Sequence, residues 1–230
     1  MMNLPELWKH LKFVSEYKEL TASQKQLLEP VLYDELQARE LRRTRHLLHR
    51  SGIKKIKRVE DFDWAFNPKI PRETIMPFFN SSQWAEKAAN IVFIGPTGVG
   101  KSHLADALCY KMITRYGIPA TRITGFDLVE KLKKTTNKYN MINYYATVKV
   151  LCLDELGYVH PNTDQAGDIF QIISKRSELL PTIITTNLIP SQWGKMFEAS
   201  TATAILDRLS LQGSFIACEG KSYRTKKKSE

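Results

Sequence analysis

One octapeptide dictates most of what this chain can fold into. Gly95-Pro96-Thr97-Gly98-Val99-Gly100-Lys101-Ser102 matches the G-x-x-x-x-G-K-[ST] phosphate loop, directly after the apolar run Ile91-Val92-Phe93-Ile94 and directly before a helix-like segment opening at His103. Such a loop grips a polyphosphate only if backbone N–H groups approach anionic oxygens closely. Gly95, Gly98 and Gly100 allow that approach and the dihedral angles it needs. Lys101 can then reach the β and γ phosphates, Ser102 can put its hydroxyl on Mg²⁺, and the following helix turns its positive end to the ligand. Residues Gly95 to His103 are therefore the candidate nucleoside triphosphate set, and a strand before the loop with a helix after it commits the chain to an α/β fold.

The rest of the chain agrees with that class. His103 to Tyr116 is expected to be helical and closed by Gly117, Ala120 to Thr124 a strand, Phe126 to Leu132 a helix, and Val148 to Leu153 a buried strand. Asp164 to Leu180 reads as a helix, Thr182 to Thr186 as a strand, Thr201 to Ser210 as a helix and Ser214 to Cys218 as a last strand. Alternation of this kind predicts a parallel five-stranded sheet flanked by helices, with function at the carboxyl ends of its strands. Upstream, Leu4, Leu7, Trp8, Leu11 and Val14 recur at helical spacing, Thr21-Ala22-Ser23-Gln24 is a capping-box pattern, and Val31 to Arg50 is helical, with Pro30 expected to end one helix or begin the next. Residues 53 to 90, with Pro68, Pro71, Pro77 and the aromatic cluster Phe62, Trp64 and Phe66, read as a linker packed on the following domain. The expected organisation is a small helical basic domain with its linker over 1–67, a nucleotide-binding domain over 68–220 and a basic tail over 221–230.

The strand edge carries further chemistry. Asp154 follows an apolar strand, which places its carboxylate where Mg²⁺ held by Ser102 would sit, and Glu155 beside it could orient or deprotonate an attacking water. Asn187, after Thr185-Thr186, offers a neutral amide at the same edge, or a cap for the segment near Pro190. Arg208, in Ala204-Ile205-Leu206-Asp207-Arg208-Leu209, could reach a neighbouring subunit's γ phosphate, or form a surface ion pair.

Charge narrows the partner. The net charge is +10, concentrated in two stretches: Arg39, Arg42, Arg43, Arg45, Arg50, Lys54, Lys55, Lys57 and Arg58 in the first, and Lys221, Arg224 and Lys226 to Lys228 in the second. A basic excess so confined suits a polyanion, and phosphate contacts of this type make affinity salt-dependent without reading bases. Lys131, Lys133, Lys134 and Lys138 form a further strip that could line a channel in an assembly or simply face solvent. Cys109, Cys152 and Cys218 are isolated, which suggests neither a disulfide framework nor a zinc site. No apolar run approaches a membrane span and the start lacks a signal-peptide pattern, so a cytoplasmic protein without membrane contact is expected.

GPTGVGKSHLADAL (95–108), VLCLDELGYV (150–159), TIITTNLIPSQWGKMF (182–197), AILDRL (204–209) and GKSYR (220–224) together resemble the IstB-like insertion-sequence transposition helper ATPases, and RELRRTRHLLHRSGIKKIKRVEDFDW (39–64) resembles that family's basic N-terminal segment. The resemblance implies an AAA+ core without a C-terminal lid domain, ATP and Mg²⁺ as cofactors, and assembly on double-stranded DNA as a ring or helical filament that assists a transposase. It further implies Lys101 and Ser102 as nucleotide and metal ligands, Asp154 as the second metal group, Glu155 as catalytic base, Asn187 as first sensor and Arg208 as the finger acting on a neighbour. Ser102 stands where many relatives carry threonine and keeps the hydroxyl. The related DnaC-type helicase loaders share this core, so loading a replicative helicase is the rival reading. A nucleotide-locked scaffold on DNA is a third reading, which Glu155 opposes, and a small-molecule kinase leaves the basic segment unexplained.

Overall fold

The computed structural model describes residues 21–226. The helix expected at Leu4 to Val14 and the end of the basic tail lie outside the described residues.

Three strands of the sheet, β1 (Asn90–Ile94), β3 (Val150–Asp154) and β4 (Thr182–Thr186), are buried at every position. β2 (Ala120–Thr124) and β5 (Gly213–Ala217) are buried only in part, because they form the two edges of a parallel sheet ordered β2-β3-β4-β1-β5. Continuous apolar runs in the centre and mixed ones at the edges are what helices on both faces produce. Alternate residues of each strand feed opposite layers. Val92, Ile94, Leu151, Leu153 and Ile184 pack on one face with Leu128, Ile169 and Ile205. Ile91, Phe93, Val150, Cys152 and Ile183 pack on the other with Leu104, Leu108 and Met112. The three cysteines are buried and unpaired.

The described residues up to His46 group apart, as a first unit, from the described residues from Leu47 onward, the second. Of the first unit the structure describes helix α1 (Ala22–Arg50), which runs into the second and contains no buried residue. Its capping box forms as expected: the Thr21 N–H donates to Gln24 Oε1 at 2.8 Å and the Gln24 N–H donates to Thr21 Oγ1 at 3.3 Å. Pro30 neither ends nor begins a helix. It sits inside α1, where its ring removes one intrahelical bond, and the residues beyond continue the helix.

Residues 47–90 belong to the second unit. They carry α2 (Arg72–Asn80), which contains Pro77, and the single turn α3 (Gln83–Glu86), neither expected in the linker reading. Val59, Ile70, Ile75, Phe79 and Trp84 are buried in the sheet's second layer. Around the sheet run α4 (Lys101–Tyr116), α5 (Gly125–Lys134), α6 (Lys138–Thr147), α7 (Thr163–Arg176) and α8 (Ala199–Ser210). α6 is an unexpected helix, opened by Asn137, whose side chain accepts from the Asn140 N–H. The helix expected over Asp164–Leu180 stops at Arg176. A turn through Glu178, at φ 65°, then leads into β4.

Arg176 explains that junction. Its guanidinium is buried and donates to the carbonyls of Tyr145 at 3.0 Å and Val148 at 2.7 Å, to the carbonyl of Pro181, and to Thr182 Oγ1 at 3.1 Å. One side chain thus satisfies the end of α6 and the entrance to β4. Burial pushes its pKa down to about 9, so it stays charged at neutral pH. Arg176→Leu leaves several buried carbonyls without donors and is expected to lower unfolding free energy by roughly 3 kcal/mol, measured by urea denaturation.

Candidate functional site

The loop between β1 and α4 takes the shape its glycines permit. Gly98 and Gly100 have φ of 83° and 113°, and any Cβ at Gly100 would lie 2.5 Å from the Phe62 ring. Left-handed backbone and close packing therefore both require glycine there. Behind the loop α4 begins at Lys101, so its free N–H groups face the strand ends. The Lys101 ammonium donates to the Gly95 and Pro96 carbonyls at 2.7 and 2.8 Å. Burial lowers its pKa, while the nearby carboxylates of Asp154 and Glu155 oppose that shift.

Beside it, the last residue of β3 organises the strand edge. Asp154 is fully buried. Its Oδ1 accepts from Ser102 Oγ at 2.7 Å and from Thr185 Oγ1 at 2.6 Å, and its Oδ2 accepts from Arg122 Nη2. Thr185 Oγ1 in turn accepts from the Glu155 N–H at 2.8 Å. This bond holds Glu155 in a left-handed conformation, φ 57°, that a non-glycine residue adopts only when its surroundings enforce it. The turn leaves the Glu155 side chain exposed, and it lines the cavity over the loop.

That cavity, about 500 Å³, is bounded by residues from four stretches: Lys55 to Asn67, Thr97 to His103, Glu155 with Tyr158, and Thr185 to Asn187, closed on another side by Tyr223 and Arg224. The hydroxyls of Thr97 and Tyr158 are hydrogen bonded across it. Asn187 Oδ1 is buried without a hydrogen-bond partner, and a Cβ on Gly157 would lie 2.2 Å from it. An orphan amide oxygen at the lining is a polar group built to meet something. The donor set suits a hard divalent cation: a hydroxyl and a carboxylate, both oxygen. The glycine cradle and Lys101 suit the polyphosphate that would accompany it.

The structure therefore brings Thr97 to His103, Glu155 and Asn187 around one cavity, with Asp154 buried behind the lining and joined to it through Ser102. Gly95 and Pro96 do not line it and meet the site through their carbonyls on Lys101. His103 contributes less directly than the others. Its Nε2 sits 2.8 Å from the Arg58 carbonyl and its ring meets Phe62 edge-on. Arg208 is not among the lining residues; it lies over the Phe170 ring at 5.3 Å and 3.6 Å from Asp207. Lys55 and Lys57, expected only as polyanion contacts, line the cavity themselves. Arg39 and Arg42 both pair with Glu35, and Lys134 pairs with Glu130.

Several residues escaped the sequence reading. Arg122, Asp106, Thr185 and Gly157 shape the site, as does Asn67, whose side chain donates to the Lys221 carbonyl at 2.9 Å and accepts from the Lys221 N–H at 2.9 Å. For Arg122 the signal was present: the one charged residue of a five-residue strand, when it is drawn into the fold, needs an anionic partner.

The model of the IstB-like ATP binding protein family matches residues 2–230. This chain belongs to that family. Among its relatives, a protein of insertion sequence IS232 from Bacillus thuringiensis subsp. berliner is 33% identical over 84% of this chain and 78% of its own length. One of insertion sequence IS5376 from Geobacillus stearothermophilus is 29% identical over 99% and 92%. The replicative helicase loader DnaC of Escherichia coli strain K12 is 28% identical over 91% and 87%. Among solved structures, DnaI superposes with a TM-score of 0.61 at 20% identity, covering 74% of this chain and 90% of that one. The DnaC helicase loader gives 0.56 at 22%, covering 74% and 97%. These likenesses show a shared fold, which in this IstB-like chain is a parallel five-stranded sheet flanked by helices. Among the described residues no helix is long and apolar enough to cross a membrane.

Proposed function

We propose that this IstB-like protein is a Mg²⁺-dependent ATPase that assembles on duplex DNA and assists a transposase with its target, hydrolysis timing release. The observation that carries the reading is the shared carboxylate: Asp154 receives the phosphate-loop hydroxyl of Ser102 on the oxygen that faces Thr185, while Glu155 stands beside it in an enforced turn. A scaffold that merely stored nucleotide would have no use for that second, exposed carboxylate.

In this reading Gly95 to His103 wrap the triphosphate, Lys101 leaves the loop carbonyls for phosphate oxygens, and Ser102 and Asp154 hold the cation. A bound cation supplies charge neutralisation for the phosphates. Glu155 takes the proton of the attacking water, Asn187 presents its unpartnered oxygen to that water, and Arg208 serves the site of an adjoining copy. The sheet, the loop and Asp154 do the positioning, which is most of what phosphoryl transfer asks of a protein.

The relatives from insertion sequences favour transposition over helicase loading. The basic stretch Arg39 to Arg58, joined to the cavity wall through Lys55 and Lys57, supports DNA as the macromolecular ligand, with Lys133 and Lys134 as a second contact strip. Duplex DNA at low salt is expected to raise ATP turnover several-fold, measured by phosphate release, and Lys101→Ala is expected to abolish both turnover and nucleotide-dependent DNA binding. Unchanged DNA binding with and without nucleotide would refute the scheme, and stimulation by a replicative helicase instead of a transposase would favour the loader.

A further inference from the structure

Four charged side chains of alternating sign run from the basic stretch to the strand edge. Lys57 Nζ lies 2.8 Å from Asp106 Oδ2, Arg122 Nε lies 3.3 Å from Asp106 Oδ1, and Arg122 Nη2 reaches Asp154 Oδ2. The first is the wettest: side-chain exposure is 27% at Lys57, 9% at Asp106, 15% at Arg122 and 1% at Asp154. With so little water to screen them, each charge depends on its neighbours.

The middle link is incomplete. Asp106 Oδ1 and Arg122 Nε are both buried, and neither makes a hydrogen bond, although they are close enough to attract. Arg122 is committed to Asp154 through Nη2, and a small rotation would satisfy Asp106 at that bond's expense. The fork of a guanidinium can serve either carboxylate or both.

We propose that Arg122 is a positioning residue for Asp154 and that Asp106 couples it to Lys57, so that a polyanion at Lys57 and a divalent cation at Asp154 strengthen each other's binding. The proposal rests on the ATPase and DNA reading above. A phosphate that draws Lys57 away leaves Asp106 with Arg122 as its counter-ion. Arg122 then closes the missing Nε–H···Oδ1 bond and loosens its hold on Asp154 Oδ2, which gives that carboxylate more freedom to serve a cation. The same factor operates in reverse, because coupling between two binding equilibria is reciprocal. The basic stretch is thereby more than an adhesive: it reports occupancy to the metal side of the site.

The test is a Mn²⁺ titration of the full chain, read by electron paramagnetic resonance with a non-hydrolysable ATP analogue present, with and without a short mixed-sequence DNA duplex. The duplex is expected to tighten Mn²⁺ binding about tenfold. In Asp106→Asn, which keeps the side chain's size but not the charge that holds both cations, the ratio is expected to fall to about one. Arg122→Lys should also remove it, since a single ammonium lacks the fork that spans two carboxylates. A wild-type chain that binds duplex and Mn²⁺ with a ratio of one overturns the coupling and leaves the ATPase reading standing. Coupling that persists undiminished in Asp106→Asn overturns the relay. Failure of the wild-type chain to bind duplex at all overturns the DNA reading and the coupling with it.

Discussion

Replacing Arg208 by alanine is expected to cut ATP turnover by the DNA-bound assembly about 10³-fold or more, while leaving nucleotide affinity of the isolated chain unchanged. The side chain touches no part of its own cavity. Its intramolecular partners are an aromatic face, a neighbouring carboxylate 3.6 Å away and the Ala204 carbonyl one turn back at 3.4 Å, and the side chain is about one-third exposed, so its removal should cost the fold little. A large kinetic loss from so weakly held a residue can arise only if it works on another copy. Unimpaired turnover in Arg208→Ala, measured at a protein concentration that saturates the duplex, would refute the intersubunit role.

Glu155→Gln is expected to slow hydrolysis by about 10²- to 10⁴-fold and to trap the protein on DNA in its nucleotide-bound form. Glutamine keeps the shape of the residue and the backbone bond to Thr185, so the turn survives; what disappears is the basicity needed to accept a proton. Retention on duplex in the presence of ATP, followed by fluorescence anisotropy, should lengthen in proportion to the lost rate. The two variants make a joint test. Mixed in equal amounts, Glu155→Gln subunits can lend Arg208 to neighbours that retain Glu155, so the mixture should recover a measurable share of wild-type turnover that neither variant shows alone. No recovery would mean that Arg208 and Glu155 serve the same subunit's nucleotide.

The parts legible in the sequence share one property: their physics is local. The turn over Gly95 to Ser102 is legible because its glycines run straight into the helix start they permit, and the link from Asp154 to Ser102 because a carboxylate after an apolar strand, common as a solvated turn residue, gains meaning only beside such a loop. Strand identities followed from apolar runs, with edges shifting by one or two residues, as at β3, which starts at Val150 and not at Val148. What escaped depended on distant partners. Arg122 finds Asp106 and Asp154 across 16 and 32 positions. Asn67 meets Lys221 across 154. The helix over Lys138–Thr147 carries a weak apolar stripe and is held by Arg176 from another element. α2 was hidden by Pro77, which falls late enough in a nine-residue helix to remove only one bond.

Asn67 ties the strand-free stretch before the sheet to the stretch that follows β5, and Gly98, Tyr223 and Val99 join at the same knot, the Tyr223 N–H donating to the Gly98 carbonyl at 2.9 Å. A segment before the sheet and one after it are thus fastened at the turn through Gly98 and Val99. If that loop holds a triphosphate as proposed, a pull on either segment would act on it directly, and mechanical load would become an input to nucleotide retention.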